Sequence, residues 1–308
     1  MTLQQLKYII AIDRHRSFVR AADELGITQP TLSSLLQKLE SELDVCIFDR
    51  SNKSVAPTAV GQKILRQARR VVNEAERMTE LVAEEKGSVT GPLNLSVGPT
   101  IAPYLLPRFI RTYTEMFPQV GLSIAEMKAE AMLDALRLGQ LDAGIGIGGH
   151  VREGILEIPL YTEPFWVYIA ESCWRKLPVF KPENLEHEQM WIMKESQCLR
   201  ESAFSFCKAR GVGKRIYEAG SVETLIRIVD ENGGFTIIPE MHLSMLTEKQ
   251  RQNVRRIEGD YLSQRRVSIY IREDFIRARM LDSVVGALAA FIPKKMLAER
   301  IAKHGVRL

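Results

Sequence analysis

The stretch FVRAADELGITQPTLSSLLQKLESELDVCIFDR, residues 18–50, decides how this chain is read. Ser17 stands where an N-cap belongs, and Phe18, Ala21, Ala22 and Leu25 recur at helical spacing. Gly26 ends that helix. Thr28 can cap another running from Gln29 to Glu42, with Pro30 tolerated in its first turn. Leu32, Leu35, Leu36, Leu39 and Leu43 form the apolar face of this helix, whereas Thr31, Ser33, Ser34, Gln37 and Lys38 lie mostly on its other faces. The small alanines allow close helix packing and Gly26 permits a tight turn. The polar start of the later helix is then presented as a helix-turn-helix presents its reading helix to the major groove. An ordinary helical hairpin would share these small residues, and composition alone leaves it open.

Working outward, Leu3, Leu6, Ile9 and Ile10 mark a helix upstream. Downstream, residues 45–58 alternate apolar and polar before Pro57, which predicts a two-stranded wing with Arg50 and Lys53 near its tip. Residues 1–58 are thus expected to be a winged helix-turn-helix domain. From Ala59 to about Lys86 apolar residues recur at three- and four-residue steps, predicting one long amphipathic helix. Such a helix cannot bury its apolar face alone, so a second copy is expected against it, and residues 59–90 are assigned to a dimerisation linker with a hinge at 87–92. After Pro92, strands at 93–97, 120–127 and 141–147 alternate with helices at 102–116 and 131–138. Similar alternation over 165–238, a late strand at 267–271 and a helix at 275–291 complete a regulatory domain, residues 91–308. A parallel sheet is expected there.

Charge is a weak guide. The formal net charge is +4, and seven basic and seven acidic residues cancel within residues 1–58. Any DNA-binding face must therefore come from charge placement. Gln29 and Ser33 are candidates for base edges, Thr31 and Ser34 for further DNA contact, and Lys38, Arg50 and Lys53 for phosphate. The start of the chain lacks a signal-peptide pattern and no apolar run approaches the roughly 20 residues that span a bilayer. Four scattered cysteines, Cys46, Cys173, Cys198 and Cys207, do not make a secreted disulfide framework, so a cytoplasmic location is expected. Cys46 reads as packing within an apolar run, and Cys173 stands beside Trp174. The histidines are scattered without metal-ligand spacing, and no cofactor is expected. The glycines between Gly144 and Gly149 lack the features of a phosphate loop and read as a crossover between subdomains.

The string at 18–50, continued by Pro57-Thr58-Ala59-x-Gly61, strongly resembles the LysR-type transcriptional regulators. The resemblance runs the whole chain. It implies an α/β protein with an N-terminal all-α winged helix-turn-helix and a periplasmic-binding-protein-like effector domain of two α/β subdomains, about 91–162 with 268–308 and about 163–267. It also implies a homodimer or homotetramer on promoter DNA, with RNA polymerase as a further partner, and no enzymatic role.

Within the effector domain, Cys198 and Cys207 bracket CLRESAFSFC. Ser196 can cap a helix beginning at Gln197, placing Cys198 in a first turn that favours a thiolate. Lys194 and Arg200 add to that effect while Glu195 and Glu201 oppose it. On one helix, cysteines nine positions apart are separated by about 13.5 Å and face opposite sides. A disulfide needs Cα atoms within roughly 7 Å, so a bond between them would require refolding. Two buried structural cysteines are the other reading, and spacing alone leaves both open. The segment is similar to the redox segment of hydrogen-peroxide-sensing members of the family. Pro99-Thr100 with Pro103-Tyr104-Leu105-Leu106-Pro107, Ser221-x-Glu223-Thr224-Leu225 and Arg265-Arg266 extend the similarity. That resemblance implies Cys198 as the peroxidatic residue and Cys207 as the resolving one. It implies Thr100, Gln197 and one of Arg265 or Arg266 at the peroxide, with a glutaredoxin or thioredoxin as reductant. Gln197 replaces a frequent histidine and Ala129 a frequent threonine. A metabolite-binding regulator with incidental cysteines is the alternative. A thiol peroxidase is a third reading, against which the N-terminal reader argues.

Overall fold

The computed structural model of the chain describes residues 1–49, 55–85, 89–150, 152–171, 189–193, 214–217, 221–257 and 264–304. Arg50, Lys53, Cys173, Gln197, Cys198 and Cys207 lie outside the described residues. Two units are distinguished, Met1–Ser88 with Arg137–Gln140, and Val89–Leu136 with Leu141–Leu308.

The first unit begins with α1 (Leu3–His15), α2 (Phe18–Leu25) and α3 (Gln29–Leu43). Thr2, Ser17 and Thr28 each cap one of these helices by accepting a backbone N–H three residues on. Gly26 takes the left-handed conformation, φ 65°, that closes α2 and sets the turn. Ala21 and Ala22 are buried with Leu6, Ile9, Ile12, Leu32, Leu36 and Leu39 in one core. β1 (Phe48–Asp49) and β2 (Ala56–Pro57) pair antiparallel, as the wing pattern required.

The long helix α4 (Ala59–Glu85) divides its apolar residues between two uses. Leu65, Ala68 and Val72 are buried in the core of the first unit, while Val71, Met78, Leu81 and Val82 are exposed. The Arg69–Asp13 ion pair fastens α4 to α1. One expectation fails here. Cys46 is exposed, while its neighbours Ile47 and Phe48 are both buried in the core of the first unit. Its carbonyl accepts from the Thr58 hydroxyl at 2.7 Å.

The second unit is built on β3 (Gly91–Val97), α5 (Ala102–Met116), β4 (Val120–Glu126), α6 (Ala129–Arg137), β5 (Ala143–Ile147), β6 (Ile155–Ile169), β7 (Met190–Met193) and β8 (Lys214–Tyr217). It continues with α7 (Val222–Asn232), β9 (Phe235–Pro239), a 3-10 helix (Glu240–Met245), α8 (Glu248–Arg251), β10 (Val254–Arg256), β11 (Gln264–Arg272), α9 (Ala278–Ala289) and α10 (Glu299–His304). Sheet order runs β4-β3-β5-β11-β6-β9-β7-β8, with β10 also on β6. β6 is the shared strand. Its first part pairs with β11 and its last residues with β9 and β10.

The expected parallel sheet is only part of this. β3 is parallel to β4 and β5, but β11 is antiparallel to both β5 and β6, because the chain returns from the second lobe running the other way. β3 also starts at Gly91 and includes Pro92, which the sequence reading gave to the hinge. Nor are Gly144–Gly149 a crossover, since β6 and β11 carry the chain between the lobes. Gly144 and Gly146 belong to β5 and Gly148 follows it. A Cβ on Gly144 would meet the Met132 sulfur at 2.5 Å, and one on Gly148 the Arg266 Nε at 2.6 Å. At Gly144 the buried Met132 leaves no room for a Cβ, whereas at Gly148 the half-exposed Arg266 side chain would have to give way.

The junction of wing and α4 yields a prediction. The Thr58 hydroxyl accepts from the Gly61 amide at 2.9 Å, and a Cβ on Gly61 would stand 2.0 Å from the Ile47 carbonyl oxygen. Gly61→Ala is expected to destabilise the N-terminal unit by about 1–3 kcal/mol through overpacking against backbone. Urea denaturation of the two proteins checks this, and equal midpoints would refute it.

Candidate functional site

Two groups of side chains are candidates, one in each unit. In the first, the capped start of α3 is the reading element. Gln29, Thr31, Ser34 and Lys38 are exposed and Ser33 is half-buried. The Thr31 hydroxyl is 2.8 Å from that of Thr28, so it takes part in the cap. Leu32, Leu36 and Leu39 hold the opposite face of α3 in the core, which fixes the rotation of the helix. The face left outward is polar and carries one lysine, a composition suited to base edges with a phosphate contact beside them.

In the second unit the central residue is Arg265, at the start of β11. Its side chain is fully buried, and Glu163, its register partner on β6, is fully buried too. Arg265 Nε donates to Glu163 Oε1 at 2.8 Å. Nη1 donates to the Thr100 hydroxyl and Nη2 to the Thr100 carbonyl, both at 3.2 Å. Nη2 also donates to the Tyr104 hydroxyl, which itself donates to Glu163 Oε1 at 3.0 Å. The Met241 amide donates to Glu163 Oε2 at 2.9 Å. The carboxylate and guanidinium thus satisfy one another and draw in the start of α5, β6, β11 and the 3-10 helix.

The fold brings Thr100 to this point for local reasons. β3 ends at Val97, and the Gly98 carbonyl accepts the Ile101 and Ala102 amides at 2.9 and 3.0 Å, turning the chain into α5. Thr100 sits in that turn, half-buried, with its hydroxyl oxygen accepting from the guanidinium. The hydroxyl hydrogen can then be donated to a small polar ligand.

Electrostatics support the same picture. Burial works against the charge on Arg265, yet Tyr104, Glu163 and Tyr161 hold its pKa above the ordinary arginine value. Burial drives the Tyr104 and Tyr161 phenols well above the usual tyrosine range, so both are neutral donors at physiological pH. The cluster therefore offers a charged guanidinium, balanced by the Glu163 carboxylate, and neutral hydroxyls held rigid in a low-dielectric setting, where oriented donors act on developing negative charge.

Of the residues expected at this site, Thr100 and Arg265 are in contact. The alternation of β11 separates Arg266 from them: it points to the other sheet face, half-exposed, and pairs with Glu157 at 3.0 Å. Ala129 opens α6. Glu163, Tyr161 and His242 were not singled out from the sequence. Glu163 sits in a run of largely apolar residues, Leu160 to Phe165, and a lone acid at such a position is the signal that could have found it. Among the described residues no group of three or more acidic, histidine or cysteine side chains is placed to hold a metal ion. Among those residues no helix is long and apolar enough to cross a membrane.

Comparison with known proteins agrees with this architecture. Residues 3–62 match the family described as bacterial regulatory helix-turn-helix protein, lysR family, and residues 86–293 match the LysR substrate binding domain. The chain belongs to the LysR family of regulators. It is 32% identical over 256 residues to the DNA-binding transcriptional dual regulator OxyR of Escherichia coli K12, covering 82% of this chain and 83% of that one. It is similar to full-length OxyR of Pseudomonas aeruginosa, solved as a cysteine-to-aspartate variant, with TM-score 0.80 and 29% identity over 97% and 98% of the two chains. A cysteine-to-serine variant of Corynebacterium glutamicum OxyR with hydrogen peroxide bound matches with TM-score 0.60 and 27% identity over 94% and 92%.

The buried pair gives a second prediction. Removing one partner strands the other charge, so Arg265→Ala is expected to cost about 3–5 kcal/mol at neutral pH. Chemical denaturation of the regulatory unit measures it. A loss below about 1 kcal/mol would mean that Glu163 is not held as described.

Proposed function

We propose that this chain is a redox-responsive transcription regulator that answers hydrogen peroxide by oxidation of Cys198. The observation that carries the reading is the hydrogen bond from Arg265 to the Thr100 hydroxyl, which joins a buried cation to a polarised donor. A related protein of the same fold has been solved with hydrogen peroxide bound, which supports carrying that ligand over to this site.

In this reading the Cys198 thiolate attacks one oxygen of hydrogen peroxide. The S–O bond forms as the O–O bond breaks, the sulfur is oxidised to a sulfenic acid, and hydroxide departs and takes up a proton as water. Thr100 positions the peroxide and Arg265 stabilises the departing oxygen. The Cys207 thiolate then attacks the sulfenic sulfur, expels hydroxide and closes a disulfide. Closing that bond refolds the segment around residues 195–220 and rearranges a homotetramer on promoter DNA, changing its contact with RNA polymerase. A glutaredoxin or thioredoxin in the cytoplasm returns the thiols by dithiol exchange. The chain turns over once per signal and is no peroxidase. Gln197 and Ala129 stand where histidine and threonine are frequent, and these two departures bear on peroxide positioning and sensitivity.

DNA is read by α3, with Gln29 and Ser33 on base edges, Thr31 and Ser34 beside them, and Lys38, Arg50 and Lys53 on phosphate. Lys53→Ala is expected to weaken binding to all sequences alike and to flatten the dependence of log K on log salt by about one. An unchanged slope in a filter-binding titration would remove Lys53 from the interface.

Thiol trapping with mass spectrometry tests the redox reading. Micromolar peroxide should give wild-type protein an intramolecular Cys198–Cys207 bond, and Cys198→Ser protein none. Failure of the wild type to form it would overturn the reading and favour a metabolite-binding regulator.

A further inference from the structure

A groove in the second unit lies outside the Arg265 cluster and shares no residue with it. Trp166 of β6, Leu243 and Ser244 of the 3-10 helix, Arg251 of α8 and Val254 of β10 line it, and its volume is about 460 Å³. That is within the range of sites that take small molecules, roughly 300–1,000 Å³. Trp166, Leu243 and Val254 are half-buried and pack against the core of the second lobe, so they form an apolar floor.

Two polar groups in this groove lack the partners that such groups ordinarily have. The indole Nε1 of Trp166 is buried and has no hydrogen-bond partner. Trp191 shows the usual arrangement, its Nε1 donating to the Gly233 carbonyl at 3.0 Å. Arg251 is exposed and makes no ion pair among the described residues. Arg255 is already turned to the Gln252 and Val254 carbonyls, at 2.6 and 2.7 Å, and the Ser244 hydroxyl donates to the Met241 carbonyl at 2.9 Å. No lining residue is acidic, and residues 248–256 carry four basic side chains against one acidic.

The frame around the groove is fixed. A capping box between Thr247 and Gln250 closes α8. Gln250 Nε2 donates to Asp230 Oδ2 at 3.2 Å, and Asp230 Oδ1 accepts the Tyr168 hydroxyl, which ties α8 to α7 and β6. Asn253 Nδ2 donates to the same hydroxyl at 3.3 Å.

We propose that this groove is a binding site for a small aromatic carboxylate. The rings lie on Trp166, Leu243 and Val254, one carboxylate oxygen pairs with Arg251, and the other accepts the Trp166 N–H. A carboxylate answers both unpartnered donors at once, and a flat apolar body suits the half-buried indole. Because Nε1 is closed to solvent, binding includes a small shift of the side chains over it. The site stands apart from the peroxide reading and needs none of its residues.

The test titrates naphthoate into the full chain carrying isotope-labelled tryptophan. The indole N–H signal absent from Trp166→Phe protein reports on the groove. It should move saturably downfield as the N–H gains an acceptor, while that of Trp191 stays in place. Calorimetry gives the affinities. Arg251→Gln should raise Kd about ten- to hundredfold, and Trp166→Phe, which keeps a ring and loses the donor, about three- to tenfold. Naphthalenemethanol, with the same rings and no charge, should bind about tenfold more weakly or worse. No saturable binding of naphthoate at about 10 mM overturns the proposal. So does equal affinity for acid and alcohol, or binding that Arg251→Gln leaves unchanged, which would place the ligand elsewhere. If Trp166→Phe does not fold, Arg251→Gln and the comparison of acid with alcohol decide, since Arg251 is exposed and its replacement leaves the core intact.

Discussion

The regulatory unit depends on one buried ion pair, Glu163 with Arg265, joined at 2.8 Å between adjacent strands and closed to solvent on both sides. Moving two charges out of water costs several kcal/mol each, and Coulomb attraction repays that only when the remaining donors and acceptors are also satisfied. Here they are drawn from two further places in the fold. Thr100 and Tyr104 come from the start of α5, and the Met241 amide from the 3-10 helix. The pair therefore does more than join two strands. It sets where the turn after β3 lies relative to β6, and β6 is the strand on which both lobes of the sheet are assembled. Hydrophobic packing would tolerate small slips between these elements. A fully satisfied network of charges tolerates few.

That constraint gives the candidate site its chemistry. A guanidinium held rigid and dry needs no reorganisation when negative charge develops beside it, and the Thr100 hydroxyl is oriented because its oxygen is already engaged. The first unit shows the same economy with weaker forces. Its reading helix is aimed by three threonine or serine caps, one left-handed glycine and a core in which Ala21 and Ala22 let α2 and α3 meet closely.

Legibility in the sequence followed the range of the interaction. Helix ends in the first 60 residues were readable because their causes are local: Ser17, Gly26 and Thr28 act within four residues of themselves. Thr100 and Arg265 came from a resemblance, and the choice between Arg265 and Arg266 needed the register of β11 against β6. Glu163 and His242 were illegible because nothing near them in the chain says that a charge will be buried. Their partners lie 102 and 19 residues away, at Arg265 and Glu223. The parallel-sheet expectation held for β3 with β4 and β5 and for β7 with β8 and β9, but not around β6 and β11, for a related reason. β6 contains Pro159 and Pro164, which break its pattern, and the direction of β11 is set by a long return that no local rule records. Cys46 was misplaced because an apolar neighbourhood in sequence was taken for one in space.

The central claim is that Arg265 acts on peroxide through Thr100, as one unit. A double-mutant cycle on the rate of peroxide-dependent thiol oxidation, with Thr100→Val, Arg265→Lys and the two together, measures this coupling directly. The account predicts strong non-additivity, with the second substitution costing far less once the first is present and a coupling of more than about 1 kcal/mol. Additive losses would contradict it, and would mean that the two residues serve the site separately or not at all.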